Sequence, residues 1–218
     1  VHDDYDKAYA EHDAYFGAEA SPLLEQQADR LPAGCRVLDL GVGQGRNALP
    51  LARRGCRVTG IDNSQVAVDI FATAAENEGL TVDALAQDIF LYEPDRNFDA
   101  VLCFGLMQTL DLGGCASLVE RLHHWTRPGG TLFLTAWNVD DPQFDHYCQT
   151  WDRRSVRCFR HPEDGRHRLF LDRGEILKLF FRWEVLHHWE GVGPAHRHGD
   201  GPSEQHGDVA AVLVRPLK

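Results

Sequence analysis

Residues 37–47 read VLDLGVGQGRN, and the next apolar run, CRVTGID (56–62), ends on Asp62. CRVLDL (35–40) reads as a short strand that runs into a glycine loop. Gly41, Gly43 and Gly45 allow a tight turn there and let a ligand come close to the backbone. RNALPLARRG (46–55) is helix-like and closes at Gly55. Pro50 lies inside it, so the helix is expected to start near Asn47 or Ala48, or to be kinked. Asp62 stands 21 residues after Gly41, at the tip of the second strand. A carboxylate in that place can accept both hydroxyls of a ribose.

Outward from this unit the chain alternates. SQVAVDIFATAAENEG (64–79) reads as a helix, with Ser64 as N-cap and Gly79 as its stop. LTVDALAQD (80–88) reads as a third strand, and FDAVLCFG (98–105) as a fourth, apolar on both faces as in a buried parallel sheet. CASLVERLHHWT (115–126) is an amphipathic helix and TLFLTAW (131–137) a fifth strand. Upstream, HDDYDKAYAEHDAY (2–15) looks helical, and Ser21-Pro22 starts a helix running to Leu31. Downstream, 138–169 is polar and irregular. GEILKLFF (174–181) is then a helix, and WEVLHHWEG (183–191) and DVAAVLVRP (208–216) are strands joined by a Gly-, His- and Pro-rich loop. Such alternation predicts an α/β fold with a parallel sheet and helices on both faces.

Composition narrows the function. Lys and Arg number 22 against 33 Asp and Glu, a net charge of −11 over 218 residues. A surface of that sign repels nucleic acid and anionic lipid, so neither is an expected partner. No apolar run approaches the roughly 20 residues of a membrane helix, and no signal-peptide core opens the chain. The six cysteines form no C-x-x-C pair. A reduced, cytoplasmic, single-domain protein is expected, its oligomeric state left open.

Three neighbouring strands each end on or near an acid, Asp39, Asp62 and Asp88. Ligands of open α/β sheets bind at that edge. A pyrophosphate prefers G-x-G-x-x-G, whereas the spacing here is G-x-G-x-G with Asp39 two residues ahead of it. Asp39 is a poor neighbour for a pyrophosphate and suits a ligand with a positive amino group, such as S-adenosylmethionine. The competing reading, a glycine-rich turn without a ligand, leaves the three acids unexplained.

LDLGVGQGRN, VTGIDNS, AQDI and FDAVLCFGLM together resemble the class I S-adenosylmethionine-dependent methyltransferases, over about residues 35–137. The resemblance implies a Rossmann-like three-layer sandwich. Its seven-stranded, mostly parallel sheet would have the order 3-2-1-4-5-7-6, with the last strand antiparallel. It implies that Asp39, Gly41, Val42 and Gly43 shape the methionine pocket, Val42 through its backbone. Asp62 would hold the ribose with Asn63 beside it, and Asp88 and Ile89 the adenine. Cys103 and Phe104 would offer backbone carbonyls to the amino group, and Met107 would lie nearby. YDKAYAEHDAYFGAEASPLL, GRNALPLARRG and FLDRGEILKLFFRWEVLHHWE resemble the tellurite-resistance (TehB-type) and thiopurine methyltransferase groups. That likeness implies Tyr5, Tyr9 and Phe16 closing over the cofactor from a helical cap (1–34) of the core (35–137). Residues 138–169 would then be a lid-like insertion, and 170–218 a C-terminal helix and hairpin.

S-adenosylhomocysteine would be the product and a small molecule the acceptor. A soft nucleophile, a thiol or a selenium or tellurium species, needs little base help. An oxygen or nitrogen acceptor needs a proton acceptor. His196-Arg197 matches a His-Arg pair of the TehB-type tail, which implies His196 as base or orienter and Arg197 as anion clamp. His198 and His206 depart from that family. H-x-H with a third histidine eight residues on can gather a transition metal, but histidines of flexible loops also cluster without one, and no metal is expected. Arg153, Arg154, Arg157, Arg160, Arg166 and Arg168 suggest an anionic acceptor. A protein that binds the cofactor without turnover, as a sensor or partner subunit, is the reading from another class.

Overall fold

The computed structural model describes residues 3–218; residues 1 and 2, including the first residue of the expected N-terminal helix, lie outside it. Five strands come first: β1 (Arg36–Leu40), β2 (Arg57–Asp62), β3 (Val82–Ala86), β4 (Phe98–Phe104) and β5 (Thr126–Trp137). Three short ones follow, β6 (Asp152–Arg153), β7 (Cys158–Arg160) and β8 (His167–Leu169), and form a sheet of their own. β9 (Glu184–Val192) and β10 (Gly207–Val214) return to the main sheet, whose order is β3-β2-β1-β4-β5-β10-β9. Counted within that sheet, this is the expected 3-2-1-4-5-7-6, with β10 antiparallel to both its neighbours.

The helices are α1 (Asp3–Glu11), α2 (Pro22–Gln27), α3 (Ala48–Arg53), α4 (Gln65–Asn77), α5 (Leu112–Trp125), α6 (Phe144–Thr150) and α7 (Glu175–Leu179). Side chains that alternate along the strands feed two cores. Val101, Cys103, Leu132 and Leu134 pack with Leu118, Leu122 and Trp125 of α5 and Ile176 of α7. Ala100, Leu102 and Phe133 pack on the opposite face with Leu24 of α2, Leu51 of α3 and Phe71 of α4. This period-two alternation between two helical layers makes the three-layer sandwich.

Local differences from expectation have local causes. Pro50 is the third residue of α3, where the N–H it lacks would have had no intrahelical partner, so the helix needs no kink. Ser64 caps α4 as expected, its hydroxyl accepting from Ala67 N–H (3.0 Å). Ser21 makes no side-chain cap; instead its N–H donates to Asn47 Oδ1 (2.8 Å). α5 starts three residues earlier than predicted because Asp111 accepts from Gly114 N–H (2.7 Å) and outweighs two glycines. β5 also starts early, at Thr126, passing through Arg127–Gly130 with a register irregularity against β4.

The 138–169 stretch is more regular than its sequence suggests. α6 and the β6–β8 sheet enclose a third core of Tyr147, Phe159 and Phe170, with Trp137, Phe144 and Trp151 against it. Leu171 N–H donates to Trp137 O (2.9 Å), which seats this unit on the end of β5. No helix among the described residues is long and apolar enough to cross a membrane.

Candidate active site

The C-terminal ends of β1, β2 and β4 converge on the glycine turn. Gly41, Gly43 and Gly45 all have positive φ (71°, 53° and 86°), a region that side-chain-bearing residues rarely enter. Gly41 and Val42 N–H both donate to Ile61 O (2.8 and 3.0 Å), binding the turn to the end of β2. Val42 is buried in the core, so its side chain packs and only its backbone lines the turn. A Cβ on Gly45 would lie 2.4 Å from Phe71, so this glycine lets α4 pack close.

Asp39 is 2% exposed, and its Oδ2 has no hydrogen-bond partner among the described residues. Burial, aided by the negative charge of Asp62 and opposed by Arg46, pushes its carboxyl up to about 8. An unpaired buried carboxylate is costly, and a ligand cation would relieve it. Asp62 is held firmly: Oδ2 accepts from Gly43 N–H and Oδ1 from Ser64 N–H, both at 2.9 Å. Burial raises its carboxyl while these backbone N–H groups oppose the rise. Each oxygen keeps a second lone pair for a ligand. Asn63 beside it is exposed.

Asp88 is exposed, and its Oδ1 accepts from Phe90 N–H (2.8 Å), capping a single turn at Ile89–Leu91. Ile89 is buried, as are Cys103 and Met107, while Phe104 is half-buried at the end of β4. Burial holds the Cys103 thiol far above its ordinary range, so it is no nucleophile. Next to it lies a residue the sequence reading passed over. Gln108 is 9% exposed with its Oε1 unpartnered, and its Nε2 lies close to Gly105.

The N-terminal segment covers the turn. Tyr5, Tyr9 and Phe16 form a ring cluster with centroids 6.1–6.2 Å apart. The Tyr9 hydroxyl would be 3.2 Å from a Cβ at Gly43, and burial with the nearby Asp62 charge keeps it protonated. Side chains of the glycine motif itself hold this segment down. Gln44 accepts from Tyr15 N–H (2.9 Å) and donates to His12 O (2.6 Å), and Arg46 donates to Phe16 O. Sequence reasoning treated the motif as a ligand loop and missed this second use of Gln44, Arg46 and Asn47.

On the other side of Phe16 lies the 191–207 loop. His198 packs edge-on against Phe16 (4.9 Å) and lies near Tyr15 (5.9 Å). Gly199 N–H donates to Tyr15 O (2.9 Å). One ring nitrogen from each of His196, His198 and His206 lies within 4.8 Å of the other two. His206 is 4% exposed and stacks on Trp137 at 4.0 Å. Its Nδ1 lies 3.1 Å from Oδ2 of the buried Asp141. Burial, then its neighbours His196 and His206, lowers the affinity of His198 for a proton. Burial raises Asp208 to about 6, with His206 and His196 opposing the rise.

Arg197 is exposed and has no ion pair among the described residues. Two of the six arginines of 138–169 are held in ion pairs among the described residues. Arg157 binds Glu175 and Asp172, and Arg166 binds Asp164. The Arg168 guanidinium lies over Trp137 (5.3 Å) and Trp151 (5.7 Å), donates from Nη1 to His167 O (2.9 Å) and keeps a buried, unpartnered Nε.

Comparison with known proteins bears on the fold and on the kind of domain. Residues 37–130 match the family model described as Methyltransferase domain. A probable (S)-tetrahydroprotoberberine N-methyltransferase 2 from Papaver bracteatum is 30% identical over 62% of this chain and 37% of its own length. A probable S-adenosyl-L-methionine-dependent methyltransferase TehB from Haemophilus influenzae (strain 10810) is 25% identical over 86% of this chain and 59% of its own. The crystal structure of TehB from Haemophilus influenzae superposes with a TM-score of 0.69 at 22% identity, covering 88% of this chain and 61% of that one. The chain thus spans between 37% and 59% of the length of these two curated relatives.

Proposed function

We propose, from the match of residues 37–130 to a methyltransferase-domain family model together with the site geometry, that this chain moves a methyl group from S-adenosylmethionine to a small-molecule acceptor, releasing S-adenosylhomocysteine. Asp39 carries the reading. It is a buried carboxylate with an unpartnered oxygen, and it stands beside a turn of three positive-φ glycines. An ammonium-bearing ligand supplies the missing partner as the carboxyl ionises, whereas a pyrophosphate brings no positive charge to meet it.

In this assignment Gly41, Val42 and Gly43 present backbone to the methionine arm. Asp62, locked by Gly43 and Ser64 N–H, accepts from the ribose, with Asn63 beside it. Asp88 and Ile89 take the adenine, the Cys103 and Phe104 carbonyls face the amino group, and Met107 packs nearby. Tyr5, Tyr9 and Phe16 close over the donor. The bound donor supplies an electrophilic methyl carbon with its own leaving group. The chain's task is therefore to hold the acceptor in line and exclude water.

The acceptor side is assigned to Trp137, Arg168 and the histidine loop, under residues 138–169 acting as a lid. Arg168, half-buried between Trp137 and Trp151 with an unpartnered Nε, and exposed Arg197 are the candidates for holding an anionic acceptor. His196 Nδ1 lies 3.2 Å from Pro194 O, which leaves Nε2 as a proton acceptor for an oxygen or nitrogen nucleophile. A thiolate or a selenium or tellurium species would need only placement. An isotope-labelled methyl assay against thiols, chalcogen oxyanions, phenols and amines tests the proposal. Transfer to at least one class is expected. Tight donor binding with transfer to none would favour a sensor instead.

A further inference from the structure

We propose that His196, His198 and His206 form a binding site for one divalent transition-metal ion of the zinc class, beside the N-terminal cap. The three come from both arms of one hairpin loop, drawn together where His196 N–H donates to Glu204 O (2.9 Å) and Glu204 N–H donates to His196 O (2.8 Å). One ring nitrogen from each lies within 4.8 Å of those of the other two. Zinc–nitrogen bonds of about 2.0–2.1 Å bring tetrahedral ligands to roughly 3.4 Å apart, so the loop would tighten by about an ångström on loading.

The hydrogen bonds already made select the ligand atoms. Asp141 Oδ2 can only accept, so His206 Nδ1 carries the hydrogen and Nε2 is left with a lone pair. Asp141 is itself fixed, accepting from Gln143 N–H (2.8 Å) and Gly207 N–H (3.1 Å). Gly207 permits this, because a Cβ there would lie 2.2 Å from Asp141 N. The Pro194 carbonyl does the same for His196, leaving its Nε2. His198 Nδ1 and His206 Nε2 are both buried without hydrogen-bond partners among the described residues. A carboxylate that fixes one nitrogen of a histidine while the other points into a cluster is the outer-shell arrangement of metal-ligating histidines.

The charge balance favours a cation. Glu204 Oε2 lies 3.5 Å from His206 Nε2 and is available as a fourth ligand. Asp208 and Asp141 add negative charge, and Arg46 opposes it. Neutral imidazole with a carboxylate suits zinc, iron, cobalt or nickel better than magnesium or calcium.

The full chain, stripped with chelator and desalted, would be titrated with Co²⁺ alone, followed by visible absorption, and then with Zn²⁺ as competitor. One equivalent of Co²⁺ should give a d–d band that Zn²⁺ abolishes. His196→Ala and His198→Ala, both on the half-exposed loop, should each weaken binding at least about tenfold with an unchanged circular dichroism spectrum. Asp141→Asn should weaken it about 10–100-fold. His188→Ala, in β9, should change nothing. Absence of a band, or binding that survives His196→Ala and His198→Ala together, would overturn the site. A metal on His196 Nε2 occupies the lone pair that the base role uses, so the loaded site and a His196 base exclude each other; the readout does not involve methyl transfer, so the site stands or falls apart from the donor pocket.

Discussion

Asp39 gives the sharpest handle on the donor pocket. In the free protein burial sets its carboxyl at about 8, so near neutrality it is mostly protonated. An ammonium ligand needs it ionised, and binding must therefore expel a proton. Between pH 8 and pH 6 the ionised fraction falls about fifty-fold, which at 1.36 kcal/mol per unit weakens binding by roughly 2.3 kcal/mol. Isothermal titration of S-adenosylhomocysteine in buffers of different ionisation enthalpy reads both effects. Close to one proton should be released per ligand near pH 6.5. Asp39→Asn should bind more weakly at pH 8 and lose the pH dependence. Folding stability carries the opposite sign. With its pKa raised on folding, Asp39 favours the fold fully below its unfolded value of 3.8, and this contribution is lost as pH rises through about 8. At pH 7 the proton taken up on folding costs up to about 4 kcal/mol. Asp39→Asn, which needs no proton, should thus unfold at higher denaturant while binding less donor. A dissociation constant flat within twofold from pH 6 to 8, or an Asn variant that keeps the slope, would refute this account of the pocket.

Other substitutions probe separate parts of the site. Asp62→Ala should raise the donor dissociation constant at least about tenfold, or about 1.4 kcal/mol, by calorimetry. Gly45→Ala, forced into positive φ with its Cβ 2.4 Å from Phe71, should cost about 2–4 kcal/mol in urea unfolding. Gln44→Ala removes the strap to Tyr15 and His12, so limited proteolysis should cut the first 20 residues faster, and added donor should slow the cutting. His196→Ala should lower turnover in the methyl-transfer assay while calorimetric donor affinity stays within twofold.

The parallel core was legible because its information is local. CRVLDL and FDAVLCFG announce buried strands by their apolar runs, and positive-φ glycines punctuate them. Asp39 could be placed because a strand tip followed by glycine fixes where a carboxylate goes, and Asp62 because the next apolar run ends on it. What stayed hidden depends on distant partners. Nothing near Asp141 in sequence says that it meets His206, 65 residues away. Gln44 and Arg46 read as loop residues until the N-terminal segment folds onto them. Residues 138–169 carry no clean periodicity because their short strands are organised by an aromatic core and not by a long amphipathic face. The helix expected from Cys115 and the strand expected from Thr131 both begin earlier, because a capping aspartate carries the one through Gly113-Gly114 and a strand irregularity carries the other through Pro128-Gly129-Gly130.

Calorimetry of the purified chain with S-adenosylmethionine, S-adenosylhomocysteine and NAD tests the central claim most directly. One equivalent of each sulfur nucleoside should bind, with no heat from NAD. Uptake of NAD with indifference to both sulfur nucleosides would contradict the assignment of Asp39 and Asp62 from which the rest proceeds.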